Sequence, residues 1–305
     1  MSVTSFAVEN EVVDIFAIAQ NIIHTELTID EVGNVIKSYT NLDEFIDAVH
    51  DEYAEISDYD IAISLLQYTE QEYRGLPESE ILNYLTLDNL TTSTSYVTLN
   101  EAGEAIVSND ATMLADIWTS EDGYMKITTT YSYLKSVGNE KYYQVTGMAT
   151  WLKYPAVAIE DAFVIGTTGT FDDSYSEYAS VSQTFKCSNA CDGLYTYKVR
   201  GVSNIDTVDG DLSMTYNNYV PEIHFTPLSP SCEHCGGGAK DDYFMAYMRY
   251  GVITDESINI QAGYGHKTFG LDNISVGIDN NGTPSFSGSL ITISKYIARP
   301  VTIAY

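Results

Sequence analysis

Positive charge is scarce in this chain: 14 Lys and Arg stand against 43 Asp and Glu, for a formal net charge of −29 and an isoelectric point near 4.1. Nucleic-acid binding is work for a basic patch on a phosphate backbone, so that class of partner is excluded. Long apolar runs are missing too. No stretch approaches the ~18 uninterrupted apolar residues that would suggest a membrane-spanning helix, so no transmembrane segment is expected. The N-terminal Met1-Ser2-Val3-Thr4 has neither the basic start nor the apolar stretch of an export signal. The usual catalytic signatures are absent as well: there is no GxSxG elbow, no phosphate-binding loop, no GxGxxG after a strand and no HExxH. The five histidines, His24, His50, His224, His234 and His266, are coupled by no diagnostic spacing. His24 and His50 lie beside acids, but not at a metal-binding interval.

What is present is ordinary in bulk and unusual in detail. Hydrophobic residues make up 44% of the 305 positions, a globular composition and not a disordered one. Tyrosine is abundant, 25 against 10 Phe and 2 Trp, and Ser and Thr are plentiful beside it. Such a mixture suits β-strands whose rings pack on one face while the hydroxyl stays hydrated. With little lysine it has the look of an extracellular or cell-surface bacterial protein. The acid is uneven: residues 1–90 hold 19 acidic residues and only two bases, Lys37 and Arg74.

Two periodicities divide the chain. Over residues 1–88 apolar positions recur at helical spacing: Val8, Val12, Ile15, Phe16, Ala19, Ile22 and Ile23, then Val32, Val35, Ile36 and Tyr39 after a Thr28/Glu31 capping box. Asn41 precedes a stripe of Phe45, Ile46, Val49 and Tyr53, Ser57 caps a further helix, and Gly75 with Pro77 ends it and opens another. The pattern predicts a small N-terminal helical bundle. From residue 92 to 305 the period becomes two. Met125, Ile127, Thr129, Tyr131 and Tyr133 alternate with Lys126, Thr128, Thr130 and Ser132, Gly138-Asn139 turns the chain, and residues 141–152 return. Some fourteen short strand candidates without crossover helices predict an antiparallel β-sandwich-like domain, making the whole an α+β chain.

The four cysteines form two close pairs, Cys187 with Cys191 and Cys232 with Cys235, the latter followed by three glycines. Two such pairs suit a tetrahedral structural zinc site, and equally two disulfides in an exported protein. Either staples the β domain if it joins the two pairs. Clustered aspartates, Asp172-Asp173, Asp206, Asp209, Asp211 and Asp279, are also the oxygen donors calcium takes, although Asp favours turns regardless. Gly263-Tyr264-Gly265-His266-Lys267 reads as an aromatic, glycine-rich loop, which makes Tyr264, His266 and Lys267 the candidate ligand-binding residues.

Three functions follow as expectations. The first is an exported, non-catalytic protein that presents tyrosine-rich loops to a glycan or protein surface. The second is a membrane-active protein whose alternating strands 124–152 become a barrel hairpin. The third is a hydrolase with carboxylates in a β-sandwich cleft.

Overall fold

A computed structural model describes residues 6–8, 11–13, 24–29, 35–40, 42–66, 69–87, 89–109, 124–153, 159–187, 221–225 and 239–305. Its strands are β1 (Phe6–Val8), β2 (Glu11–Val13), β3 (His24–Ile29), β4 (Val35–Thr40), β5 (Asn89–Leu99), β6 (Ala105–Ser108), β7 (Tyr124–Val137), β8 (Glu140–Lys153) and β9 (Glu160–Thr167). They continue as β10 (Thr170–Asp172), β11 (Tyr178–Cys187), β12 (Glu222–Phe225), β13 (Ala239–Thr254), β14 (Ile258–Gly270), β15 (Ser275–Ile278), β16 (Pro284–Ser287), β17 (Ile291–Ile297) and β18 (Val301–Ile303). Four short helices, α1 (Leu42–Glu52), α2 (Asp58–Leu66), α3 (Glu70–Arg74) and α4 (Glu78–Asn83), lie between β4 and β5.

This corrects the expected N-terminal helical bundle. Val8 and Val12 of the first helical stripe lie in the paired strands β1 and β2, and Val35, Ile36 and Tyr39 of the second lie in β4, which pairs with β3 and β5 in the same large sheet as the central hairpin. The reason is local chemistry. Thr25, Thr28 and Ile29 in β3, and Val35, Ile36 and Thr40 in β4, are β-branched. Their stiff χ1 favours a pleated surface over a helix, and their spacing satisfies both periods. The helical reading holds from residue 42 on. The Ser57 hydroxyl accepts from the Asp60 amide at 3.2 Å, and Gly75 closes the turn after α3. Thr69 and Glu72 form a reciprocal capping box, with the Thr69 amide on Glu72 Oε2 at 2.9 Å and the Glu72 amide on Thr69 Oγ1 at 3.2 Å.

The antiparallel architecture is as the alternation predicts. A nine-stranded sheet runs β10-β13-β8-β7-β5-β4-β3, with β11 also on β13 and β6 on β5. A five-stranded sheet runs β12-β9-β14-β17, with β18 also on β14. The predicted hairpin is β7–β8, where Val137 faces Glu140 and Gly138 takes a φ of 65°, a left-handed conformation that glycine adopts without steric cost. The two sheets meet across the main core, to which the large sheet gives Ile127, Val145, Trp151 and Phe244, and the small one Phe163, Ile260 and Tyr264. The helices cover the opposite face of the large sheet, where Ile63, Leu76 and Ile81 pack on Met148, Met245 and Tyr247.

The outer face of the small sheet carries a second cover, the β15–β16 hairpin, with Val276 and Phe286 against Ala162 and Val164. It sits on bare backbone. A Cβ on Gly263 would lie 2.7 Å from Pro284 Cβ, and one on Gly265 2.6 Å from Phe286 Cδ1. No described helix is long and apolar enough to cross a membrane.

Candidate functional site

Tyr264, His266 and Lys267 do not lie on a loop. All three are interior positions of β14, and they are buried, Tyr264 at 0% and His266 at 1% exposure. The flanking glycines, which suggested a flexible loop, are the bare positions on which β16 rests. Strand alternation sends these residues to two faces, and each face carries its own polar set.

On the inner face the register places His266 opposite Asp161. His266 Nδ1 lies 2.5 Å from Asp161 Oδ1, and the Tyr264 hydroxyl donates to Asp161 Oδ2. Trp151 Nε1 in turn donates to the Tyr264 hydroxyl at 3.2 Å, and its indole meets the His266 ring edge-on. A carboxylate only accepts, so Nδ1 carries the proton of this contact. The arrangement is the aspartate–histidine half of a hydrolytic triad. His266 Nε2, where a nucleophile would sit, is buried and has no hydrogen-bond partner among the described residues. The geometry therefore clamps β9, β14 and β8 together at one end of the sandwich.

On the outer face a chain of charges runs across β12, β9 and β14. Lys267 Nζ donates to Glu160 Oε2 at 3.2 Å, and Glu160 Oε1 accepts from the Ile274 amide at 3.2 Å. His224 Nδ1 lies 3.7 Å from Glu160, and its Nε2 lies 3.2 Å from Glu222 Oε1. Burial alone pulls the His224 imidazole down. The hydrogen bond and charge of Glu222, with those of Glu160, outweigh it and raise its pKa above the ordinary histidine value.

Beneath the helices lies a third arrangement, which has no single motif. On β7, β8 and β11 the helix-facing positions are Thr128, Thr130, Ser132, Gln144, Thr146, Thr150, Ser180 and Ser182, all buried. The hydroxyls of Thr146 and Ser182 have no partner among the described residues. Two ion pairs pin the helices here. Glu80 takes Arg249 Nε at 2.8 Å and Nη2 at 2.9 Å, and also accepts from the Tyr247 hydroxyl at 3.2 Å. Glu72, the capping residue of α3, takes Lys126 Nζ at 2.8 Å and the Thr150 hydroxyl at 3.3 Å. The alternation of β7 announced its Ser/Thr face, but nothing in the sequence showed what covers it.

The remaining candidates divide simply. Cys187 ends β11 opposite Ala239 of β13, while Cys191, Cys232 and Cys235 lie outside the described residues, as do His234 and Asp206, Asp209 and Asp211. His50 Nε2 meets Asp58 Oδ1 at 2.7 Å. His24 sits in β3 opposite Thr40. Asp172 accepts from the Ser174 amide at 3.0 Å. Asp279 accepts from the Thr283 and Asn281 amides at 2.9 and 2.8 Å, which hold its carboxyl below the usual range. Both are thus turn residues. Among the described residues no three His, Cys, Asp or Glu side chains converge as a metal site.

Comparison with known proteins adds little. No family model matches the chain, and no curated protein matches it. One solved structure, described as a pore forming protein, aligns over 68% of this chain and 91% of its own, with a TM-score of 0.24 and 8% identity. At that level the likeness carries neither fold nor function.

Proposed function

We propose that this is an exported, membrane-active protein that inserts its β7–β8 hairpin into a lipid bilayer. The observation that carries the reading is the two-faced build of that hairpin under a removable cover. Each strand has 14 residues, against about 10 needed to span a bilayer as a tilted strand. One face runs in register from Met125 and Trp151, through Ile127 and Ala149, Thr129 and Gly147, and Tyr131 and Val145, to Tyr133 and Tyr143. An apolar band between aromatic ends is the lipid-facing pattern of a membrane barrel, and the opposite Ser/Thr face suits its wet lumen. In the soluble fold that hydroxyl face is closed by helices whose apolar footing on the sheet is Met148, Met245 and Tyr247. The other face has the much larger sandwich core. The helical layer has the smaller apolar footing, so it is the cover more easily lost.

The test is dye release from phosphatidylcholine vesicles together with single-channel recording in planar bilayers. Stepwise conductance is expected, and Thr128→Lys or Thr146→Lys should shift its ion selectivity towards anions. No release from zwitterionic or anionic vesicles, at neutral or acid pH, would sink the proposal.

A further inference from the structure

We infer that the end of β14 and the residue before β17 form a lipid-docking tip, in which Phe269, Leu271 and Leu290 enter the boundary between headgroups and acyl chains of a zwitterionic bilayer. This deepens the membrane reading above and rests on it for the class of partner, but it uses different residues.

Among the described residues the three most exposed large apolar side chains lie together, apart from Val137 and Tyr305, each 53% exposed, at the β7–β8 turn. Phe269 is 73% exposed, Leu271 94% and Leu290 85%, the highest values among the described large apolar residues. They share one tip, because Phe269 pairs with Thr292 and Gly270 with Ile291, which places Leu290 beside the end of β14. One weaker member joins the same end. Ile159, 37% exposed, precedes Glu160, the partner of Lys267 in the ladder. Single exposed apolar residues need no explanation, but a gathered set does.

The backbone adds a second, independent observation. Leu290 has a φ of 58°, and among the described residues no other non-glycine has a positive φ. A leucine in the left-handed region is strained, and Asn or Gly would fit at less cost. The position is also closely held. A Cβ on Gly270 would lie 2.2 Å from the Leu290 carbonyl oxygen, the Thr268 hydroxyl donates to the Thr292 carbonyl at 3.2 Å, and the Ser289 hydroxyl donates to Asp272. Strain kept at a fixed, solvent-facing leucine points to a use for its side chain.

Charge selects the occupant. A second copy of a chain with net charge −29 is repelled, and so is an anionic lipid surface. Residues 268–273 and 287–292 contain no Lys or Arg, and their one acid, Asp272, already accepts from Ser289. A protruding, uncharged apolar tip fits the soft boundary of a zwitterionic membrane.

The experiment is flotation of the full chain with phosphatidylcholine vesicles, read separately from dye release. Leu290→Gly is the decisive variant, because glycine takes the same φ without strain and so leaves the fold at least as stable while deleting the side chain. It should lower vesicle binding by about tenfold, and adding Phe269→Ser and Leu271→Ser should lower it by about a hundredfold or more. Binding of Leu290→Gly and of the triple variant at wild-type strength would overturn the inference. So would failure of the wild type to float, or a dimer in solution that Leu290→Gly dissociates. Binding without dye release sinks the hairpin proposal and leaves the tip standing, whereas release with unaltered binding of the tip variants does the reverse.

Discussion

Glu80→Ala should be among the most damaging single substitutions outside the sandwich core. Glu80 and Arg249 are almost closed to solvent, with side-chain exposures of 6% and 9%. The carboxylate takes two guanidinium nitrogens and the Tyr247 hydroxyl, while Arg249 also donates to the Ser176 carbonyl, at 2.7 Å from Nη1, and lies over the Tyr175 ring. Deleting Glu80 leaves a guanidinium charge with no carboxylate beside it, only neutral partners, under the helical layer. Breaking a buried pair from one side costs about 3–5 kcal/mol. Removing both charges as Glu80→Met with Arg249→Met restores an apolar contact between α4 and β13, so the double variant should be more stable than either single one. The assay is urea denaturation of wild type, both singles and the double, with a coupling of about 2 kcal/mol expected between the two sites. Single costs below about 1 kcal/mol, the value of an exposed pair, would refute the view that this pair is what fastens the helices to the sheet.

Three further outcomes follow from the same structure. Gly265→Val puts side-chain atoms where Phe286 already stands, so it should destabilise by about 1–3 kcal/mol in a thermal melt, whereas Gly103→Ala, open to solvent at φ 76°, should show only the backbone cost of about 1 kcal/mol. Because the native pKa of His224 is raised above 6.5, its contribution to stability is complete below that pH and is lost as pH rises through the native value. Wild type should therefore lose melting temperature over that window relative to its own acid value, and His224→Gln should not, as melting curves from pH 5.5 to 8.5 would show. The structural staple proposed for Cys187, Cys191, Cys232 and Cys235 predicts either one zinc with four thiols after denaturation or a mass four hydrogens light. Four free thiols and no metal would dispose of both forms.

How far the sequence could be read depended on whether a signal was local. The β7–β8 hairpin was legible because alternation and a Gly-Asn turn lie within thirty residues, and α2 because Ser57 sits directly ahead of its apolar positions. The strands β1, β2 and β4 were misread as parts of helices because a few β-branched residues fit both periods, and for β4 the choice was made by pairing with β5, some fifty residues on. Tyr264 and His266 were singled out for the wrong reason. Their glycines mark a surface that another hairpin covers, and their partner Asp161 lies more than a hundred residues upstream, beyond any motif. The helix-facing hydroxyls were in view as a stripe, yet their burial depends on Glu72 and Glu80, whose roles emerge only when the helices fold back over the sheet.

Several of the few cations are engaged within the fold. Lys126, Arg249 and Lys267 hold carboxylates of the fold, and Lys135 and Lys141 lie over the rings of Tyr142 and Tyr305. Each of the three ion pairs hides one acid with its base, so solvent still meets the full formal charge of −29, and the particle travels inside its own cloud of counter-ions. That cloud is about 10 Å thick at 0.1 M salt and thins as salt is added. Close approach to anything bearing like charge is then governed by the ionic strength of the medium, and dilution alone would keep this protein apart from such surfaces and from its own copies.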